Sequence, residues 1–229
     1  MSEKLQVAVA GAHGRMGIVA REALKNRGEY CCGFSRTADP PDRIFAALDE
    51  VWQRNPDVLL DLTTQPGSYE ISSAAVERGI PTVIGASGWS DEQRAQLGEL
   101  AKNRGVGALI VPNFSIGAML MMRFAQEAAT FLPDAEIVEM HHPAKKDKPS
   151  GTARETARRI EAASGKAPAI HSLRLTGSLA HQEVVFGGPG ELLTIRHDSL
   201  SRESFVAGMM KAVHAVRDLR GLSIGLESI

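Results

Sequence analysis

Cysteine, aromatic residues and long apolar runs are all scarce in this chain. It has two cysteines. They are adjacent, Cys31 and Cys32, in a short apolar run. Adjacent cysteines rarely bond each other because the ring they close is strained, so no disulfide framework exists and both are expected to be reduced core residues. Aromatics make up 5% of the chain, too few for platforms that stack nucleic-acid bases. No segment approaches the roughly 20 apolar residues that span a bilayer. The run Val7–Ala12 is too short for the core of a signal peptide and follows polar Gln6. An excess of one charge is also missing. With 26 Lys+Arg against 27 Asp+Glu the net charge is −1, so no global field draws nucleic acid or an acidic membrane. These absences predict a cytoplasmic protein with no nucleic-acid and no membrane partner.

What is present is enough apolar material for a sizeable core: 229 residues, 43% of them hydrophobic. In the first half, strand-like and helix-like segments alternate. Leu5–Ala10, Tyr30–Phe34, Val58–Leu62, Thr82–Ile84 and Val106–Val111 have the character of strands. Arg15–Asn26 has helical spacing, with Met16, Val19, Ala20, Ala23 and Leu24 on one face. Ile44–Arg54, Ser68–Arg78 and Asp91–Asn103 are further helical stretches. Alternation of this kind predicts right-handed βαβ crossovers and a Rossmann-like parallel sheet.

After Pro112 the rhythm changes. Ile116–Phe131 reads as a methionine-rich helix, Ala135–His141 as a strand, His142–Ser150 as a polar loop and Thr152–Ser164 as a helix. Three strand-like runs follow, His171–Thr176, Glu183–Phe186 and Leu192–His197, then a last helix over Ser204–Leu219. Consecutive strands with short turns predict an antiparallel or mixed sheet in a smaller α+β domain.

Two loops carry chemistry. The first is GAHGRMG, Gly11, Ala12, His13, Gly14, Arg15, Met16 and Gly17, between the first strand and the first helix. Gly11 permits a tight turn, Gly14 lets backbone approach a pyrophosphate, and Gly17 lets helix pack closely on strand. The phosphates would meet the N–H groups at the helix start. The spacing is one residue off the common dinucleotide fingerprint, and its position at the first βα junction is what gives it weight. Arg15 suits either a phosphate or solvent. At the end of the second strand, where an acid would bind the ribose of NAD, the chain has Ser35, Arg36 and Thr37. A hydroxyl and a guanidinium suit a 2′-phosphate, so NADPH is expected over NADH, unless Arg36 is merely solvated.

The second loop is EMHHPAKKDKPSGTA, residues 139–153. Thr152 with Glu155 fits a capping box. Ser150, Gly151 and Thr152 at a helix start form a cradle for carboxylate or phosphate. Lys145 and Lys146 add positive charge, and a histidine there donates a proton at neutral pH. Taken singly, a lysine run suits a solvated surface and Thr152 suits a simple cap. The His-His pair lacks the spacing and partners of a metal site, so no metal is expected.

With DLTTQPGSYE (61–70), VIGASGW (83–89), VPNFSIG (111–117) and SRESFVAG (201–208), these loops make nearly the whole chain closely resemble the 4-hydroxy-tetrahydrodipicolinate reductase family, older name dihydrodipicolinate reductase. The most specific stretch is 139–153. The resemblance implies an oxidoreductase acting on a CH–CH group in lysine and diaminopimelate biosynthesis. It would reduce 4-hydroxy-tetrahydrodipicolinate to tetrahydrodipicolinate with NADPH or NADH. It implies His141 as general acid and Lys145 as the second catalytic residue. His142, Ser150, Gly151 and Thr152 would hold the carboxylates of the dicarboxylate substrate. Gly85, Ala86 and Ser87 would lie over the nicotinamide ribose, and Val111, Pro112, Asn113 and Phe114 beside the nicotinamide ring. It further implies a dinucleotide-binding domain built from both chain ends, 1-113 and 202-229, and a substrate-binding and tetramerisation domain, 114-201, in a homotetramer. Pro143, Ala144 and Lys148 depart from the common pattern, and the chain is short for the family. An amino-acid dehydrogenase acting on aspartate would not account for the His-His-x-x-Lys loop before PSGTA. A dinucleotide-sensing regulator would need neither His141 nor Lys145.

Overall fold

Short runs buried along their whole length make the first sheet. In the computed structural model, which describes residues 4–229, β1 (Val7–Ala10), β4 (Val58–Asp61), β5 (Thr82–Ile84) and β6 (Gly107–Ile110) have every residue buried. The first three residues of the expected domain 1-113 lie outside the described residues. Burial on both faces is the signature of a parallel sheet covered by helices. With β2 (Tyr30–Phe34), β3 (Ile44–Phe45) and β11 (Gly221–Ile224) these strands form one seven-stranded parallel sheet, ordered β11-β6-β5-β4-β1-β2-β3. Its helices are α1 (Arg15–Arg27), α2 (Leu48–Trp52), α3 (Gly67–Glu77), α4 (Asp91–Arg104) and α7 (Val206–Ala215). Local chemistry sets several helix ends. Gly28 and Gly105 close α1 and α4 in the left-handed conformation, and Ser90 with Gln93 forms a capping box at the start of α4. Cys31 and Cys32 are buried thiols on β2.

The chain divides into two compact units. One runs to Phe114 and resumes at Phe205–Ile229; the other is Ser115–Ser204. The second unit contains α5 (Ile116–Ala129), β7 (Asp134–His141), α6 (Gly151–Ser164), β8 (Ala169–Arg174), β9 (Ala180–Gly188) and β10 (Glu191–Ser199). Its mixed sheet is ordered β10-β9-β7-β8, with β7 and β8 parallel across the α6 crossover and the other pairs antiparallel. Ile137, Val184 and Phe186 point to the side where Ala125, Ala129, Ala153 and Ile160 of α5 and α6 complete the core. That face also carries Glu139 and His141, two and four residues on from Ile137 along β7. Among the described residues no helix is long and apolar enough to cross a membrane.

Three expectations are corrected. Ile44–Arg54 is not one helix: Ile44 and Phe45 form β3, and only Leu48–Trp52 is helical. The free edge of β2 explains this, because Gly33 and Ser35 need carbonyl partners and find them at Arg43 and Phe45, 2.9 and 3.0 Å away. The last helix is interrupted by 3-10 turns at Arg202–Phe205 and Val216–Asp218, which leave Val206–Ala215 as its regular part. Beyond it lies a strand with no sequence signal strong enough to find: the four-residue β11 pairs with β6 at the sheet edge.

Candidate active site

The glycine turn sits at the C-terminal end of β1, flanked by β2 and β4, where the strand order reverses direction. This is the position at which doubly wound sheets bind ligands. Gly11 has φ +79°, and a Cβ there would stand 2.7 Å from the Leu62 carbonyl oxygen. A Cβ on Gly17 would stand 2.1 Å from the Gly11 oxygen. Both positions therefore require glycine. Gly14 caps α1 with no side chain and donates its N–H to the Gly11 carbonyl at 2.8 Å. The next N–H groups of the helix start face a surface on which His13, Gly14 and Arg15 are exposed. A helix start with exposed N–H groups is a setting in which an anion such as a pyrophosphate can be held. Ala12 is buried and Met16 half-buried. Arg21, a residue that helical spacing did not single out, braces the turn from below. Its Nε donates to the Ala12 carbonyl at 3.0 Å and its Nη1 to Asp42 at 2.6 Å.

At the next edge Ser35 is half-buried and donates its N–H to Phe45. Arg36 is exposed and makes no ion pair among the described residues. Asp39 lies on the same loop, with its carboxylate 3.9 Å from His13 Nε2. The Gly85–Ser87 and Val111–Phe114 segments come together at the ends of β5 and β6. A Cβ on Gly85 would stand 2.8 Å from the Phe114 ring and 2.9 Å from Leu62. Ala86, Val111 and Phe114 are buried, Asn113 is half-buried, and Ser87 and Pro112 are exposed.

The motif at 61–70 acquires a physical reason. Asp61 is wholly buried at the end of β4. Its carboxylate accepts from the Thr63 N–H at 2.9 Å and hydroxyl at 2.6 Å, from Ser68 at 2.6 Å and from Ser72 at 2.9 Å. Burial pushes its pKa up against these four bonds. They fix the loop whose Leu62 carbonyl bounds the glycine turn.

In the second unit, His141 ends β7 with its Nδ1 2.5 Å from Glu139 Oε2. Glu139 is wholly buried and receives Arg174 through two bonds, Nη1 to Oε2 at 3.0 Å and Nη2 to Oε1 at 2.9 Å. The Ser150 N–H also donates to Oε1, at 3.3 Å. Burial works to raise the Glu139 carboxyl, but bonds from Arg174, Ser172 and His141 hold it below the usual carboxylate range. Burial lowers the His141 imidazole; Glu139 opposes this, and the Lys145 and Arg174 charges add to it. Lys145 Nζ pairs with Asp147 at 2.9 Å. Lys146 is exposed. His142 is half-buried, and its carbonyl accepts the Lys145 N–H at 3.1 Å.

The helix start differs from the expected capping box. Ser150, not Thr152, caps α6, its Oγ accepting the Ala153 N–H at 3.1 Å. Glu155 instead binds Arg158 and Arg159, at 2.8 and 2.7 Å. The helix begins at Gly151, one residue earlier than expected, which moves Glu155 past the capping position. A Cβ on Gly151 would meet nothing within 4 Å, so the helix N-terminus opens onto free space that an anion can enter. The loop thus brings His141, Lys145, Ser150 and Gly151 into one neighbourhood. Sequence reasoning assigned no role to Glu139, Asp147 or Arg174. Glu139 and Asp147 stand inside the quoted motif. Arg174 is an isolated charge in a strand, and its partner depends on a register that the sequence does not display.

Comparison with known proteins decides the family. Residues 5–114 match the family described as "Dihydrodipicolinate reductase, N-terminus", and residues 117–228 match "Dihydrodipicolinate reductase, C-terminus". The chain belongs to the dihydrodipicolinate reductase family. The 4-hydroxy-tetrahydrodipicolinate reductase of Cutibacterium acnes is 41% identical over 253 aligned positions, covering 98% of both chains. That of Moorella thermoacetica is 39% identical, covering 100% of this chain and 99% of its own. The dipicolinate-bound dihydrodipicolinate reductase from Paenisporosarcina sp. TG-14 superposes with a TM-score of 0.88 at 34% identity, over 99% of this chain and 100% of that one. The protein is accordingly an oxidoreductase of this family, using NAD(P)H. The alignments run longer than its 229 residues, so these dihydrodipicolinate reductases carry residues with no counterpart here.

Proposed function

We propose that His141 and Lys145 supply the proton and the polarising charge in the reaction of this family, and that Ser150, Gly151 and Thr152, with His142, hold the substrate carboxylates. The activity is that of the curated relatives: reduction of 4-hydroxy-tetrahydrodipicolinate to tetrahydrodipicolinate with NAD(P)H, on the route to diaminopimelate and lysine. The observation that carries the residue roles is the histidine hydrogen-bonded to a buried glutamate, beside a lysine and an open helix N-terminus.

The reduced cofactor supplies a hydride when bound. Loss of the substrate hydroxyl as water leaves a ring carbon conjugated to an imine. Reduction at that carbon would place an electron pair in the ring, which a proton must meet. With Nδ1 turned to Glu139, the proton leaves from His141 Nε2. The Lys145 ammonium stabilises the developing negative charge. The N–H groups at the start of α6 receive one carboxylate through the positive end of the helix. Dipicolinate, bound by the Paenisporosarcina relative, is a rigid planar dicarboxylate that such a cradle suits.

In the first unit, Gly11–Gly17 would hold the pyrophosphate, Gly85–Ser87 would lie over the nicotinamide ribose and Val111–Phe114 beside the nicotinamide ring. Ser35 and exposed Arg36 favour NADPH, because a guanidinium binds a 2′-phosphate in a planar fork. Asp39, close to His13, is an acid that a ribose hydroxyl can reach, which supports use of NADH as well. A homotetramer is supported by the outward face of the second sheet, where Leu173 of β8 and Leu192 of β10 are exposed. Buried free thiols suit a cytoplasmic location.

The test is the oxidation of NADPH followed by absorbance, with the condensation product of aspartate semialdehyde and pyruvate as substrate. Wild type should turn over. His141→Gln and Lys145→Ala should each lower kcat by about 10²- to 10⁴-fold while NADPH binds as before. Full turnover by both variants would remove these residue roles.

A further inference from the structure

We propose that Glu139, locked in place by Arg174, is a positioning residue that fixes the His141 ring with Nδ1 toward the carboxylate and Nε2 free for proton transfer, and that the same guanidinium holds the backbone of Lys145. The inference rests on His141 being the proton donor.

The bonding leaves Glu139 no choice of orientation. Its Oε2 meets His141 Nδ1 and Arg174 Nη1, and its Oε1 meets Arg174 Nη2 and the Ser150 N–H. An ionised carboxylate only accepts hydrogen bonds, so Nδ1 must carry the proton it shares. Nε2 is then the nitrogen that gains and loses a proton. A carboxylate that accepts a bidentate guanidinium and a backbone N–H stays ionised in a buried site.

Arg174 extends the brace. It lies opposite His141 in the β7–β8 register, two residues beyond Ser172, which lies opposite Glu139. Its Nε donates to the Lys145 carbonyl at 3.3 Å, and its Nη2 donates to the Asp147 carbonyl at 2.6 Å. One planar cation therefore fixes the glutamate that aims the histidine and the loop that carries the lysine. A lysine in its place lacks the fork to do both.

The titratable groups around His141 come from β7, β8 and the loop between β7 and α6. Glu139 and His142 lie on or next to β7, Arg174 on β8, and Lys145 paired with Asp147 on the loop. On β9 the residue opposite is Ala180, and α6 starts with uncharged Ser150, Gly151 and Thr152 before Arg154, whose side chain binds the Pro149 carbonyl. Glu139 is the anion bonded to the ring; Arg174 and Lys145 are the cations that act on it.

The decisive measurement is made on the wild-type protein. Protein labelled with ¹⁵N-histidine is titrated by NMR, with the His141 signals identified by their loss in His141→Gln. Above its titration, neutral His141 should show a protonated Nδ1 and an unprotonated Nε2. A protonated Nε2, or a tautomer mixture, would overturn the brace. Glu139→Gln should then produce the mixture and move the His141 titration to lower pH. It should lower kcat by at least about 100-fold with little change in KM, and shift the alkaline limb of kcat to lower pH. Arg174→Gln removes a cation and should move that limb the other way. Variants that lose activity with neither limb nor tautomer moved would show a purely structural pair and overturn the proposal. If either variant fails to fold, the wild-type tautomer still decides. Full turnover by His141→Gln would overturn the donor role, whereas an inactive His141→Gln with the wrong wild-type tautomer would overturn the brace alone.

Discussion

At the glycine turn the chain makes room for its ligand by having no side chains. A Cβ on Gly17 would press to 2.1 Å of the Gly11 oxygen, and one on Gly11 to 2.7 Å of the Leu62 oxygen. At the histidine loop the surroundings are made of side-chain charge: Glu139, Arg174, His141, Lys145 and Asp147 in one connected set of bonds. The first region is defined by steric exclusion, of Gly17 against Gly11 within seven residues and of Gly11 against Leu62 at the end of β4. The second depends on Glu139 and Arg174, which are 35 positions apart. The difference teaches where substitution does harm. In the turn any added atom is too many, while in the loop the harm comes from unpairing a buried charge.

The largest effect is expected from Gly17→Ala. The new methyl cannot coexist with the turn, so overpacking of about 3 kcal/mol should either open the turn or destabilise the first unit. NADPH fluorescence titration should show binding lost, while Gly67→Ala, whose Cβ would meet nothing within 4 Å, binds as wild type. Normal binding by Gly17→Ala would break the steric half of the comparison.

A smaller effect is expected at Arg36, the charge assigned to the 2′-phosphate. Removing a charge-assisted bond to phosphate costs about 1.5–3 kcal/mol. Arg36→Ala should therefore weaken NADPH by roughly 10- to 100-fold and leave NADH unchanged, as measured by calorimetry. Equal weakening of both would remove the 2′-phosphate role.

The smallest effect is a divergence of the two units with acid. The depressed Glu139 carboxyl contributes stability above its unfolded value of about 4.5, and that stability is lost as pH falls through the lower folded value. The lowered His141 acts in the same direction, and its loss begins as pH falls below 6.5. Asp61 has the opposite sign: its raised pKa means that the folded first unit gains in relative stability as it takes up the proton. Hydrogen exchange between pH 7 and pH 4 should loosen β7 and β8 more than β4. Equal loosening would show that the two buried carboxylates are not held differently.

Much of this was legible in order along the chain. The five strands of the first half, the glycine turn, the polar loop after His141 and the helix start at PSGTA all announce themselves through local sterics, burial and capping. One departure lies where a distant partner intervenes, another where two local caps compete. Ile44 and Phe45 have helical spacing, yet the open edge of β2 draws them into the sheet. Thr152 and Glu155 suit a capping box, yet Ser150 is the cap and the helix begins at Gly151.

By itself the sequence determined that a dinucleotide turn lies between the first strand and the first helix, and that two histidines, lysines and a helix start share one loop. These follow from contacts within a few residues, where type and spacing suffice. Only the tertiary structure decided that Arg174 faces His141, that Glu139 aims the ring, and that β11 closes the sheet beside β6. Strand register is the reason. A slip of one residue turns every side chain to the other face, and nothing local to Arg174 states which residue of β7 it meets.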